Sequence, residues 1–342
     1  MQQFVGLDIH KKFIYAVVLD SDGTLISEKK VRNEPHELDK FFERIDKDSK
    51  IALESCSCWE YVYDYLSDMG FANLILANPS RVRLIATSRK KTDAHDARAL
   101  ADLLRSNMLP TSYAPPTVIR EQRQITRHRA SLGRLNGIIK NKIHAILIRN
   151  GINQEFSDVF GQAGINFLMN LDLTDVERYQ MDQHLELIRH CNVQIKKTEE
   201  RIEDYVAYNP QVKLLMTIPG VSFYSGLAIA GEIGDIQRFS SAKKLTCFAG
   251  LNPSVSQSGD KCYTGHIAKQ GDKHLRWMLG QCANVAIMHD SALAKIYQRI
   301  KKRRGHNIAI TAVARKMLCF IYVMLTHNIK YQALQIHKAK AS

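Results

Sequence analysis

Apolar positions in the first 80 residues fall into short runs separated by turns. Phe4–Asp8 reads as a strand, and Phe13–Leu19 (FIYAVVL) as a second. Asp20-Ser21-Asp22-Gly23 is turn chemistry, after which Thr24–Val31 returns as a third strand. Leu38, Phe41, Phe42 and Ile45 have the spacing of one helical face. Lys50–Glu54 is again a short strand, and Tyr61, Val62, Tyr65, Leu66 and Met69 mark a helix stopped by Gly70. Ala72–Ala77 gives one more buried strand, closed by Asn78-Pro79. Early strands joined by tight turns, followed by strands separated by helices, predict an α/β mixed sheet with helical cover.

The period then becomes helical. Residues 93–105 form one helix, and Pro110, Pro115 and Pro116 mark a boundary. Residues 117–150 read as one long helix with Leu132, Leu135, Ile139, Ile143 and Ile146 in a stripe. A looser stretch, Gly151–Asp175, precedes a second long helix over 176–208, where Leu185, Ile188, Asn192, Ile195, Ile202 and Tyr205 recur. These two helices suit an antiparallel hairpin within the chain or a coiled coil with another subunit. Pro210 opens a third, helix-rich region. The organisation expected is therefore an α/β domain over 1–115, a long-helix region over 116–208 and a mainly α domain over 209–342.

A length of 342 residues agrees with more than one core. No apolar stretch reaches 18 residues without a charge, and the N-terminus lacks the pattern of a secretory signal, so a cytoplasmic protein with no membrane role is expected. Seven scattered cysteines fit free thiols in a reducing compartment. The net charge of +14 changes the picture more, because it calls for a polyanionic partner, nucleic acid ahead of a membrane surface. The excess is local. The 117–150 helix carries eight basic residues, Arg123 and Arg127 among them, against the single acid Glu121. Residues 261–342 hold fifteen lysines and arginines and two acids, densest at Lys301-Lys302-Arg303-Arg304.

Four acids run against that trend. Asp8 and Glu54 each end an apolar strand, and if those strands are neighbours both carboxylates emerge at one sheet edge. Asp93 and Asp96 in Lys91-Thr92-Asp93-Ala94-His95-Asp96 share a helix face, either as metal ligands or as an N-cap and first-turn acid. Converging carboxylates repel unless a cation neutralises them, and oxygen ligands match Mg²⁺ or Mn²⁺. Such ions activate phosphoryl oxygens. Arg81, Arg83, Arg89, Lys90 and Lys91 lie beside the acids in sequence and suit a phosphate backbone. His95 falls on another face and is expected to support the site rather than to ligate.

Further along, Ile218-Pro219-Gly220-Val221 between helices resembles a helix–hairpin–helix turn whose backbone N–H groups could face a phosphate. A polar segment with Ser254, Ser256 and Ser258 follows, read as a glycine-bounded loop, with Lys261, Lys269, Lys273 and Arg276 as nearby cations.

Asp8 in GLDIHKK, Glu54 in ALES, and Asp93 and Asp96 in KTDAHDA resemble the four acids of the DEDD transposases of bacterial insertion sequences. IPGV and FAGLNPSVSQSGDK resemble that family's C-terminal transposase domain, so the resemblance runs over almost the whole chain. It implies a RuvC-like, RNase H-like N-terminal domain and a recombinase that cuts and rejoins donor and target double-stranded DNA. It also implies a serine nucleophile at the position of Ser258, an element-encoded guide RNA, and a homodimer or tetramer. The alternative is a RuvC-like metal-dependent junction nuclease in which water attacks and no covalent serine intermediate forms.

Overall fold

The computed structural model describes residues 2–85, 92–153, 155–258 and 261–332. The chain divides into two compact units, Met1–Pro115 and Pro116–Ser342.

The first unit is built on a five-stranded sheet. Strands β1 (Phe4–Ile9), β2 (Phe13–Leu19) and β3 (Leu25–Arg32) form an antiparallel meander, and β4 (Lys50–Glu54) and β5 (Leu74–Ala77) extend it in parallel on the other side of β1. The spatial order is β3-β2-β1-β4-β5. Alternation along the strands sends side chains to two faces. On one face Val5, Leu7, Ile14 and Val18 join Leu38, Phe41 and Phe42 of α1 (Pro35–Phe42) and Val62 and Leu66 of α2 (Trp59–Asp68). Edge strand β3 stays mostly exposed and carries Lys29, Lys30 and Arg32, charges that discourage edge-to-edge pairing.

The other face receives α4 (Asp93–Arg105), which follows a short helix α3 (Pro79–Ile85) not expected from the sequence. Ala97, Leu100, Ala101 and Leu104 form the buried face of α4, at spacings of three and four. The approach is close: a Cβ built on Gly6 would lie 2.0 Å from the Ala97 carbonyl oxygen and 2.6 Å from the Ala101 nitrogen. Small residues on both sides therefore let the helix lie on β1. The mixed sheet with flanking helices is an RNase H-like arrangement, followed by a mainly α-helical C-terminal region.

In the second unit, α5 (Thr117–Arg149) and α7 (Asp175–Ala207) pack against each other within the chain. Arg129 pairs with Glu199 at 2.6 Å, Asn136 with Asn192 at 2.7 Å and Arg149 with Glu177 at 2.9 Å. Partner numbers fall on one helix as they rise on the other, so the helices run antiparallel. The looser stretch between them contains a helix, α6 (Gln162–Met169). Beyond α8 (Pro210–Leu215), a second core gathers α9 (Phe223–Ile233), α10 (Ala242–Phe248), α11 (Lys273–His289), α12 (Ser291–Arg304) and α13 (His306–His327). Helix α13 is long and apolar enough, by length and composition, to cross a membrane. Its face of Val313, Met317, Leu318 and Ile321 lies in this core.

The serine-bearing segment differs from the loop expected. It is a two-stranded antiparallel ribbon, β6 (Pro253–Ser258) and β7 (Lys261–Ile267), with Ser258 opposite Lys261. Among the described side chains, the large apolar ones Val255 and Tyr263 are more than half exposed, so they mark no buried face by which a strand is read from sequence.

Candidate metal centre

Three features of the first unit bring the acids together. β1 and β4 are parallel neighbours with Leu7 opposite Leu53, so Asp8 and Glu54 are the next residues on adjacent strands and leave the sheet on one face. That face is the one α4 covers. The start of α4 is fixed by Thr92, whose hydroxyl accepts a hydrogen bond from the His95 backbone N–H. Thr92 is thus the cap, and Asp93 and Asp96 fall inside the first turn. Asp93 is therefore the first helical residue and not the N-cap that its sequence position also allowed.

The result is a cluster of Asp8, His10 and Asp93 whose candidate ligand atoms all lie within 4.8 Å of one another. His10 Nε2 stands 3.1 Å from Asp8 Oδ2 and 3.4 Å from Asp93 Oδ1. Asp8 is buried, whereas His10 and Asp93 are half-exposed. Burial pushes the Asp8 carboxyl above its ordinary range; His10 opposes that shift, and the charges of Asp93 and Asp96 reinforce it. A buried acid flanked by two more carboxylates and open to solvent on one side is poised to bind a cation. Two carboxylate oxygens and an imidazole nitrogen form a donor set suited to a divalent ion, and the imidazole moves preference from Mg²⁺ toward Mn²⁺ and later transition metals.

His10 had not been singled out from the sequence. It follows the end of β1 by one residue, and nothing in its own spacing marks it. His95, by contrast, is exposed.

The basic candidates divide into groups. Arg81 and Arg83 are exposed on α3. Arg89, Lys90 and Lys91 lie outside the described residues. Arg123 donates to the Gly231 and Glu232 carbonyl oxygens, and Arg127 forms two 2.7 Å hydrogen bonds with the carboxylate of buried Glu232. Arg276 donates to the Ala249 carbonyl oxygen at 2.8 Å. Lys269 and Lys273 are exposed, as are Lys301, Lys302, Arg303 and Arg304 in the last turn of α12. Lys261 belongs to β7; its side chain, like that of Ser258, is outside the described set.

A family model for the DEDD transposases of the IS110 type matches residues 5–150, and one for the transposase IS116/IS110/IS902 family matches residues 212–298. Together they span more than half of the chain. The chain belongs to the IS110-type DEDD transposase family. Among its relatives is the transposase of insertion sequence element IS1328 from Yersinia enterocolitica, 25% identical over 81% of this chain and 84% of the relative. The transposase of element IS1111A from Coxiella burnetii is 23% identical over 96% and 91%. A pilin gene-inverting protein from Moraxella bovis is 30% identical over 41% and 46%.

One expectation for this transposase is overturned. The reading in which Ser258 attacks DNA gives way to a metal-dependent nuclease centre, because the group that assembles is the carboxylate–imidazole cluster of Asp8, His10 and Asp93. That donor set can hold a cation, and a bound cation activates water at neutral pH, so a side-chain nucleophile is not required.

Proposed function

We propose that this transposase is a metal-dependent DNA-cleaving enzyme of RuvC-like type, in which water attacks the phosphodiester and no covalent serine intermediate forms. The observation that carries the reading is the meeting of Asp8, His10 and Asp93 within ligand distance of one another. These three residues would hold one divalent cation, Mg²⁺ or Mn²⁺, with Glu54 and Asp96 completing the acidic rim. When bound, the ion supplies Lewis-acid polarisation of the phosphate oxygens. Asp8, the buried member of the three, would hold the ion from the sheet side, where a divalent charge would keep its carboxyl ionised. Asp93 and His10 are half-exposed, so a strand would reach the ion from their side. The basic residues Arg81 and Arg83 supply contacts for the phosphate backbone, a role that needs charge rather than base recognition.

Action on DNA follows from family membership, and a double-stranded substrate belongs to this reading. An element-encoded RNA and a dimeric or tetrameric assembly belong to the same reading and rest on the family resemblance. The test is cleavage of duplex and branched DNA with and without Mg²⁺ or Mn²⁺. Wild type is expected to cut only with the ion, and Asp8→Asn and Asp93→Asn to lose at least a hundredfold in rate; metal-independent cutting or full activity in Asp8→Asn overturns the assignment.

A further inference from the structure

The second unit contains a concave site that this cleavage chemistry does not use. On α11, Trp277 and Gln281 lie one helical turn apart and line a cavity of 470 Å³ with the Gly220 turn before α9. The turn closes on the helix: Gly220 has φ +85°, and a Cβ there would meet the Cys282 carbonyl oxygen at 2.6 Å. Arg129 enters from α5, its guanidinium 4.5 Å from the Tyr224 ring centroid. A tryptophan in such a setting is ordinarily covered, yet Trp277 is 43% exposed.

Charge identifies the occupant. Lys273 and Arg134 act electrostatically on His274, which together with Trp277 lines an adjoining cavity where Arg127 is already paired with Glu232. Lys273 and Arg134 are exposed and form no ion pair among the described residues. Two nearby acids are engaged: Asp272 caps α11 through the His274 and Leu275 N–H groups, and Glu199 is held by Arg129. An indole face, an amide able to donate and accept, and a cationic rim match the three parts of a nucleotide. We propose that Trp277 and Gln281 form a pocket for an unpaired nucleobase, with the indole stacking on its face, Gln281 reading its edge and Lys273 and Arg134 holding the flanking phosphates. In a duplex the base faces are hidden in the stack, so the ligand is a single-stranded or extruded nucleotide of DNA or RNA.

The inference rests on the proposed function only in that the chain handles nucleic acid, and its test is independent of cleavage. In a Trp59→Phe background Trp277 is the sole tryptophan. This protein is titrated in EDTA with a twelve-nucleotide DNA strand, the RNA of the same sequence, the DNA strand made abasic, and the blunt DNA duplex. Quenching of Trp277 by the DNA strand, the RNA strand or both, and not by the abasic strand or the duplex, is expected and names the source of the nucleotide. Trp277→Ala should weaken single-strand binding roughly tenfold, the size of one lost base–aromatic stack, with Trp277→Phe restoring most of it. Gln281→Ala, at an exposed position, should weaken it several-fold with an unchanged circular dichroism spectrum. Asp8→Asn should quench as the parent does, so failure of the nuclease reading leaves this result standing. Equal quenching by the abasic strand or the duplex, or parental affinity in both Trp277→Ala and Gln281→Ala, overturns the proposal.

Discussion

Gly6 lies beneath Ala97 so closely that a Cβ at Gly6 would stand 2.0 Å from the Ala97 carbonyl oxygen. That contact lets α4 rest on β1, and it carries Asp93 to Asp8. Gly6→Ala is therefore expected to push the helix away, costing about 1–3 kcal/mol as an overpacked site does. Cleavage should fall further than the stability loss explains, because Asp93 moves with the helix. Thermal unfolding measured beside single-turnover cleavage checks this; a variant that melts lower but cuts at the parental rate would show that the contact does not position the acids.

His10 contributes the one nitrogen donor of the cluster. His10→Ala should weaken Mn²⁺ binding at least tenfold, on the order of the loss seen when a residue supporting a metal ligand is removed. The Mg²⁺ affinity should fall less, since that ion prefers oxygen. Isothermal titration with each ion gives the comparison, and an equal loss for both ions would remove His10 from the ligand set.

In the second unit, Arg127 holds Glu232, which is only 2% exposed. Arg127→Ala should destabilise the fold by about 3 kcal/mol, at the low end of what removing one partner of a buried pair costs, because Arg123 stays 3.6 Å from the same carboxylate. Burial raises the Glu232 carboxyl above its ordinary range. A raised folded-state value means that ionisation opposes folding, so this contribution is most favourable below the unfolded-state value and is lost as pH rises through the folded one. Losing Arg127 raises that value further. The variant's deficit should thus be larger at pH 7 than at pH 5 in denaturant titrations.

The histidines act in the opposite direction. Burial lowers the basicity of His184 and His274, with Lys142 adding to the effect at the first and Arg127 at the second. Between the lowered folded-state values and the ordinary value near 6.5, the unfolded chain binds more protons. Stability from these sites is complete above pH 6.5 and declines as pH falls below it. Melting temperatures from pH 7.5 to 5.5 should show that decline, and His184→Gln should reduce its slope.

What the sequence made legible follows the physics of burial. β1, β2 and β4 are buried runs bounded by turn residues, so their chemistry and their pattern agree. The long helices were legible because Ile139, Ile143 and Ile146 recur at helical spacing; which helix they face is a tertiary fact, fixed by pairs such as Asn136 with Asn192. The β6–β7 ribbon was hidden because an exposed strand needs no apolar alternation. Within the candidate site, Asp8, Glu54 and Asp93 stood out as acids at element ends. His10 did not, because a lone histidine gains meaning only once α4 brings Asp93 to the same face.

The proposed chemistry is DNA cleavage at an acid–imidazole metal centre with water as nucleophile. Its most direct test is a single turnover on DNA in ¹⁸O-labelled water with Mn²⁺, comparing wild type, Ser258→Ala and Asp8→Asn by mass spectrometry of the cleaved strands and the protein. The expected result is one ¹⁸O in the new phosphate, unmodified protein, equal rates for wild type and Ser258→Ala, and no product from Asp8→Asn. A protein–DNA adduct in the wild type that disappears together with cleavage in Ser258→Ala would contradict it.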